Sequence, residues 1–185
     1  CHEAGISFAV APLGTAFTPE HARILSRYAS RIVLCFDADK AGMVAADRAF
    51  RELAPFGKDI YLVNLPAGDD PDSFMKREGK EAFSGMVERA RSFFEVRIER
   101  ARESGLLDDA ASSAAFAREM TALLACMSDP VARDLATADV ATRMRMAADN
   151  LRGAVRMAGR RKGQEQAQSA ERKTAEEVPQ HPPVK

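Results

Sequence analysis

The chain has 185 residues, 27 Lys and Arg against 27 Asp and Glu, 46% apolar residues, 6% aromatics and no Trp. That length holds one domain, or one with an appendage, and excludes several independent cores, while a core poor in aromatics favours helices or an α/β fold over a small β-sandwich. The neutral balance excludes attraction to nucleic acid or membrane by overall charge, so such a partner needs a local patch. Cys1, Cys35 and Cys126 have no Cys-x-x-Cys spacing, which gives neither a disulfide framework nor a zinc site and points to a reducing compartment. No apolar run approaches the roughly 18 to 20 residues that span a bilayer, and the first residues lack the basic-then-apolar pattern of a leader. The expectation is a cytoplasmic protein with no membrane partner, whose start at Cys1 rather than Met places it inside a longer chain.

Residues 6–13 are apolar with small side chains and end at Gly14, which predicts a short buried strand. Thr18-Pro19-Glu20 supplies a capping hydroxyl, a proline suited to the first helical position and an early acid, and Ile24, Leu25 and Tyr28 continue at helical spacing. Residues 31–36 form a continuous apolar and β-branched run, as a strand covered on both faces requires, and stop at Asp37-Ala38-Asp39. Residues 41–53 read as an alanine-rich helix closed by Pro55 and Gly57, and residues 60–65 as the next strand. Strand, helix, strand, helix, strand is the order of right-handed crossover units, so the fold class is α/β: a parallel sheet with flanking helices. Residues 72–102 turn helical with a break near Gly79, and further helices are expected at about 110–127 and 130–157, the last broken again near 138–142. Past Gly159 large apolar residues nearly vanish, which predicts a disordered tail with a basic start at Arg160-Arg161-Lys162. The domains read 1–100 for the sheet, 101–160 for an all-helical subdomain and 161–185 for a linker or tail.

Open parallel sheets bind ligands beyond the carboxyl ends of their strands. Two acidic groups stand there: Asp37 and Asp39 after the second expected strand, and Asp69, Asp70 and Asp72 after the third. Neighbouring strands lie about 4.8 Å apart, so both groups are expected at one site. Carboxylates gathered at one edge repel unless a cation lies among them, and all-oxygen donors without His or Cys fit Mg²⁺ or Mn²⁺ rather than zinc. Such ions bridge carboxylates to phosphates and, in pairs, serve phosphoryl transfer. Asp39 and Asp72 also stand where helix caps belong. Lys40, Lys76 and Lys80 are candidate contacts to nucleotide or template phosphates, with plain solvated lysines as the alternative. His2, His21 and His181 show no ligand spacing, and Cys35 reads as a small buried hydrophobe rather than a nucleophile.

The runs Ala11-Pro-Leu-Gly-Thr-Ala-Phe-Thr18, Cys35-Phe-Asp-Ala-Asp-Lys-Ala-Gly42, Leu65-Pro-Ala-Gly-Asp-Asp-Pro-Asp-Ser73 and Lys76-Arg-Glu-Gly-Lys-Glu-Ala-Phe83 closely resemble, in order, the TOPRIM domain of bacterial DnaG-type DNA primases. The resemblance spans about residues 5–91, and a weaker one to the helices that follow that domain lies around Asp129 to Arg133. It implies synthesis of short RNA primers on a single-stranded DNA template from ribonucleoside triphosphates, by a nucleotidyltransferase using Mg²⁺ or Mn²⁺. Asp37 and Asp39 match the family's metal-binding Asp-x-Asp, and Asp70 and Asp72 its second acidic pair. The family's Glu-Gly-Tyr-x-Asp motif, its basic subdomain and its amino-terminal zinc-binding domain have no counterpart among these residues, so zinc belongs to that domain alone and this chain by itself is expected to be inactive. The resemblance also implies a replicative helicase partner, reached through a region beyond this chain, and work at replication forks in the bacterial nucleoid. Asp-x-Asp alone is shared with topoisomerases and TOPRIM nucleases, and a catalytically inert binding module is the reading from a different class.

Overall fold

The structure, a computed structural model, describes residues 1–12, 16–66 and 68–176. Helix α1 (Pro19–Tyr28) starts as the sequence predicts: the Thr18 hydroxyl accepts from the His21 N–H at 3.3 Å, and His21 Nδ1 accepts from the Thr18 N–H at 3.2 Å. That histidine is therefore spent on capping. Strand β1 (Arg31–Leu34) leads through the first acidic loop to α2 (Lys40–Leu53), which a single 3₁₀ turn (Ala54–Phe56) ends before β2 (Asp59–Leu62). Helix α3 (Pro71–Glu88) bends at Gly79, whose φ of 84° falls in the left-handed region open to glycine, as the expected break requires. Then follow β3 (Arg91–Ser92), α4 (Phe93–Glu103), α5 (Ala110–Leu124), α6 (Pro130–Arg143) and α7 (Ala148–Glu176).

The sheet runs β1-β2-β3, with β1 and β2 parallel from Arg31↔Asp59 to Leu34↔Leu62 and β3 antiparallel to β2. Both faces are covered. Ile32, Leu34 and Leu62 enter a large core with α2 and α4 to α7, in which Phe50 stacks on Phe93 at 4.2 Å and meets Phe94 edge-on at 5.1 Å. Val33, Cys35 and Val63 face a smaller cluster holding Ile6, Leu65, Phe74 and Phe83. The large core runs without interruption from the sheet into the helices after residue 101, since Phe116, Leu123, Val140 and Leu151 belong to it.

Four expectations need correction. Residues 6–12 form no strand: Gly5 and Ile6 donate back to His2 and Cys1 in a tight turn, and Ile6 is buried as an anchor rather than a ladder member. Residues 91–92, expected inside a helix, form the third strand, because Ser92 caps a new helix by accepting from the Glu95 N–H at 3.3 Å. The last helical break falls at residues 144–147, where Arg145 has a φ of 56°, and not at 138–142. Residues 161–176, expected to be disordered, continue α7, since Gln, Glu, Lys and Ala favour helix locally even without an apolar face. Leu13 to Thr15 of the Leu-Gly-Thr-Ala run, and the tail's end with His181, lie outside the described residues.

Candidate functional site

Both acidic loops leave the carboxyl ends of the two parallel strands, and one bond joins them: the Ala38 N–H donates to the Asp69 carbonyl at 3.0 Å. The expected convergence is thus realised by the backbone. A Cβ on Gly42 would stand 2.1 Å from the Asp37 carbonyl oxygen, so only glycine lets the first turn of α2 close against the Asp37 loop.

The carboxylates themselves differ in what they hold. Asp37 is exposed and has no hydrogen-bond or ion-pair partner among the described residues. Asp39 caps α2, one oxygen accepting from the Gly42 N–H at 2.6 Å, which leaves the other free. Asp70 caps α3, accepting from the Ser73 N–H at 2.7 Å while Ser73 Oγ accepts from the Asp70 N–H at 3.0 Å. The helix therefore begins one residue before Asp72, and Asp70, not Asp72, is its cap. Asp72 pairs with Lys76 at 2.6 Å, both three-quarters exposed, a contact worth little in water.

Asp69 takes no part in this open group. It is 8% exposed, and both its oxygens receive the Arg77 guanidinium at 2.6 Å. Those hydrogen bonds hold its carboxyl below the ordinary value of 3.8. An acid held low in the folded state stabilises that state above its unfolded pKa, and the gain is lost as pH falls through the folded value. Arg77→Ala is accordingly expected to lower the melting temperature at pH 7 and to match the parent in acid well below pH 3.8. An equal deficit at both pH values would show that Arg77 acts through its packing over Phe74, 5.6 Å away, instead.

Lys40 opens α2 beside Asp39 and is exposed, whereas Lys80 lies against the Gly5 backbone, its Nζ 3.0 Å from where a Cβ would stand. Burial pushes the Cys35 thiol up to about 11, with the Asp37 charge adding to it, so it carries almost no thiolate at neutral pH. One cation escaped the sequence reading. Arg100 of α4 is half-buried, donates to Asn64 Oδ1 at 2.9 Å, and lies near enough to Asp39 to feel its charge, while burial pulls its own pKa down. Its distance of 36 residues from Asn64 left no local signal.

No three His, Cys, Asp or Glu side chains among the described residues close on one point as a metal cage does. The donor chemistry nonetheless fits a hard cation: Asp37 offers both oxygens, Asp39 and Asp70 each offer one, and no nitrogen or sulfur competes. No helix among the described residues is long and apolar enough to cross a membrane.

A Toprim-like family model matches residues 1–75, and a model described as the DnaB-helicase binding domain of primase matches residues 94–148. The first stretch is thus similar to Toprim-like domains and the second to a helical segment of primases. The DNA primase of Clostridium acetobutylicum is 42% identical over 134 residues, 72% of this chain and 22% of that protein. The DNA primase of Escherichia coli K12 is 42% identical over 89 residues, 46% of this chain and 15% of that protein. Among solved structures, the zinc-binding and RNA polymerase domains of the Aquifex aeolicus primase superpose with a TM-score of 0.66 at 33% identity, over 81% of this chain and 35% of that one. A DNA primase domain from Pseudomonas aeruginosa gives 0.67 at 29% identity, over 84% and 50%. A DnaG primase catalytic domain bound to single-stranded DNA gives 0.66 at 25% identity, over 80% and 48%. Over these segments the chain is similar to bacterial DNA primases, and it spans 22% and 15% of the length of the two curated relatives described.

Proposed function

We propose that this chain carries the acidic nucleotidyl-transfer site of a primase, a DNA-directed RNA polymerase that joins ribonucleoside triphosphates into short primers on single-stranded DNA. The bond between Ala38 and Asp69 carries the reading, because it holds two acidic loops together at the carboxyl ends of adjacent parallel strands in a chain related to primases. Asp37, Asp39, Asp70 and Asp72 would hold Mg²⁺ or Mn²⁺, which when bound lowers the cost of the charge that builds up in phosphoryl transfer. In that reaction a primer 3′-oxygen attacks the α-phosphorus of the incoming nucleotide, a new P–O bond forms, and pyrophosphate leaves with the electrons of the broken one. The caps on α2 and α3 fix the Asp39 and Asp70 carboxylates in place, and Lys40, at the open end of α2, faces solvent where a triphosphate would approach.

The primase relatives support this reading over a TOPRIM nuclease or topoisomerase, and the relative bound to single-stranded DNA supports the template. Residues 1–100 would serve the chemistry. The match at residues 94–148 supports helicase contact inside this chain, in place of the region beyond it that the sequence suggested. A place at the replication fork follows from that contact. The Glu-Gly-Tyr-x-Asp motif is not among these 185 residues, so the chain alone is expected to bind metal without priming.

Titration with Mn²⁺ followed by electron paramagnetic resonance tests the site. The chain is expected to bind Mn²⁺ in the millimolar range, and the Asp37→Asn/Asp70→Asn double variant to lose that binding. Silence of the parent chain at millimolar Mn²⁺ would remove the metal from this site.

A further inference from the structure

In this neutral chain Arg23, Arg77, Arg91, Arg97, Arg143 and Arg152 each pair with a carboxylate of the fold. Three other arginines share a cleft instead. Arg133 of α6 and Arg156 and Arg160 of α7 line a hollow of about 360 Å³ together with Ala125, Val155 and Gly159, and none of the three has an ion-pair partner among the described residues. Asp134, the acid that feels the Arg156 charge, is already held by Arg152 at 2.8 and 3.3 Å. Arg133 is fixed in place: Nη1 donates to the Met127 carbonyl at 2.7 Å, which leaves Nε and Nη2 to donate elsewhere. Beyond the arginines, Lys162 ties α7 to the end of α5, its Nζ donating to the buried Cys126 Sγ at 3.3 Å. Arg156 and Arg160 stand one turn apart on one face of α7, where like charges cost the helix stability unless an anion lies between them.

Guanidinium forks match phosphate oxygens, and three of them at one opening make the local basic patch that a neutral chain needs to hold a polyanion. The position of the cleft selects the kind of anion. Ala125 leads into Cys126 to Ser128, and the Ser128 N–H donates to the Ala54 carbonyl in the turn ahead of β2, at the amino end of the sheet. The acidic loops leave the carboxyl end. A lone nucleotide in the cleft would be out of reach of the acidic loops, whereas a strand carries a phosphate at every residue and can be held at one end of the molecule while it reacts at the other. A related primase catalytic domain is bound to single-stranded DNA.

We propose that Arg133, Arg156 and Arg160 form a backbone-phosphate site for single-stranded DNA, a holding point at the end of the molecule opposite the acidic loops. The proposal rests on the template reading above and adds a second place where the strand is gripped. The test is fluorescence anisotropy of a labelled single-stranded DNA oligonucleotide of mixed sequence, titrated with the full chain at several NaCl concentrations. Arg156→Gln/Arg160→Gln, at two exposed positions, is expected to bind about tenfold more weakly with its melting temperature kept. The slope of log affinity against log salt should fall by about 1.4, for two phosphate contacts at about 0.7 each. Gly159→Leu puts an uncharged side chain into the cleft, where a Cβ would meet nothing within 4 Å, and is expected to weaken binding with every charge retained. Arg27→Gln/Arg48→Gln removes the same charge from exposed positions of α1 and α2 and is expected to bind as the parent does. Parent-like binding by the α7 double variant, or an equal loss in the α1 and α2 control, would overturn the cleft and leave the template reading standing. A parent chain that does not bind the oligonucleotide would also overturn it, while Mn²⁺ binding by the same chain would keep the acidic site. Competition at fixed ionic strength supplies the last outcomes: inorganic phosphate or polyglutamate that displaces the oligonucleotide as well, charge for charge, as unlabelled strand does would give the cleft to small phosphates or to an acidic peptide, against the proposal.

Discussion

Asp37→Ala, placed in a full-length primase carrying this segment, is expected to cut primer synthesis about a thousandfold while leaving the melting temperature unchanged. The two halves of that expectation have separate causes. Asp37 is exposed and touches no protein partner among the described residues, so its removal leaves no group unpaired, and a surface change of that kind costs within about 0.5 kcal/mol. A carboxylate that helps hold a metal at a phosphoryl-transfer site supports several kcal/mol of transition-state stabilisation, and about 4 kcal/mol is three powers of ten in rate. Asp39→Ala makes the control. It also removes the oxygen that accepts from the Gly42 N–H, so it is expected to lose activity and about 1 kcal/mol of stability together. Asp70→Ala breaks the corresponding cap of α3 and should behave like Asp39→Ala. Primer synthesis assayed beside thermal melting separates the cases. An Asp37→Ala enzyme that still primes with metal would end the assignment of Asp37 to the site.

The parts of this site that follow from local chemistry were legible in the sequence. A strand of β-branched residues, an Asp, and an alanine-rich helix specify β1, the Asp39 cap and α2 with no tertiary information, and two such units in succession place both acidic loops at one sheet edge. The fate of each carboxylate was not legible. Asp69, Asp70 and Asp72 look alike in a row, yet Asp69 turns inward because Arg77, two turns along α3, can reach it, and which member of an acidic run finds such a partner is decided by the fold. The two-residue β3 carried one unused signal, Ser92 followed three residues on by Glu95, the pattern that opens a helix. Which stripe of α6 is covered was not legible either, because Val131 and Leu135 have the same spacing as buried residues, and spacing does not say which side of a helix packs.

Arg97→Ala should cost about 3 kcal/mol of stability, or roughly 10 °C in melting temperature for a chain of this size. Arg97 lies in α4 with its side chain 10% exposed, and its guanidinium meets Asp47 of α2 at 2.8 and 2.9 Å and Glu119 of α5 at 3.3 Å, over the Phe116 ring at 5.4 Å. It thus ties the helix behind the acidic loop to the helices that follow the sheet. Removing it takes the nearest cation from the Asp47 carboxylate, itself only 13% exposed, and leaves only the more weakly felt charge of Arg51. Burial already raises the Asp47 pKa above its ordinary value despite the attraction of Arg97. An acid whose pKa is raised by folding stabilises the fold when protonated and loses that gain as pH rises through the folded value. Without Arg97 that pKa climbs further, so the deficit of Arg97→Ala is expected to be full at pH 7 and to shrink toward pH 4. Replacing both charges removes the stranded partner, and Asp47→Leu/Arg97→Met is expected to recover most of the loss. A deficit that neither acid nor the double substitution relieves would mean that Arg97 contributes by filling space over Phe116, and that the charge pair is incidental to how the two halves of the chain are joined.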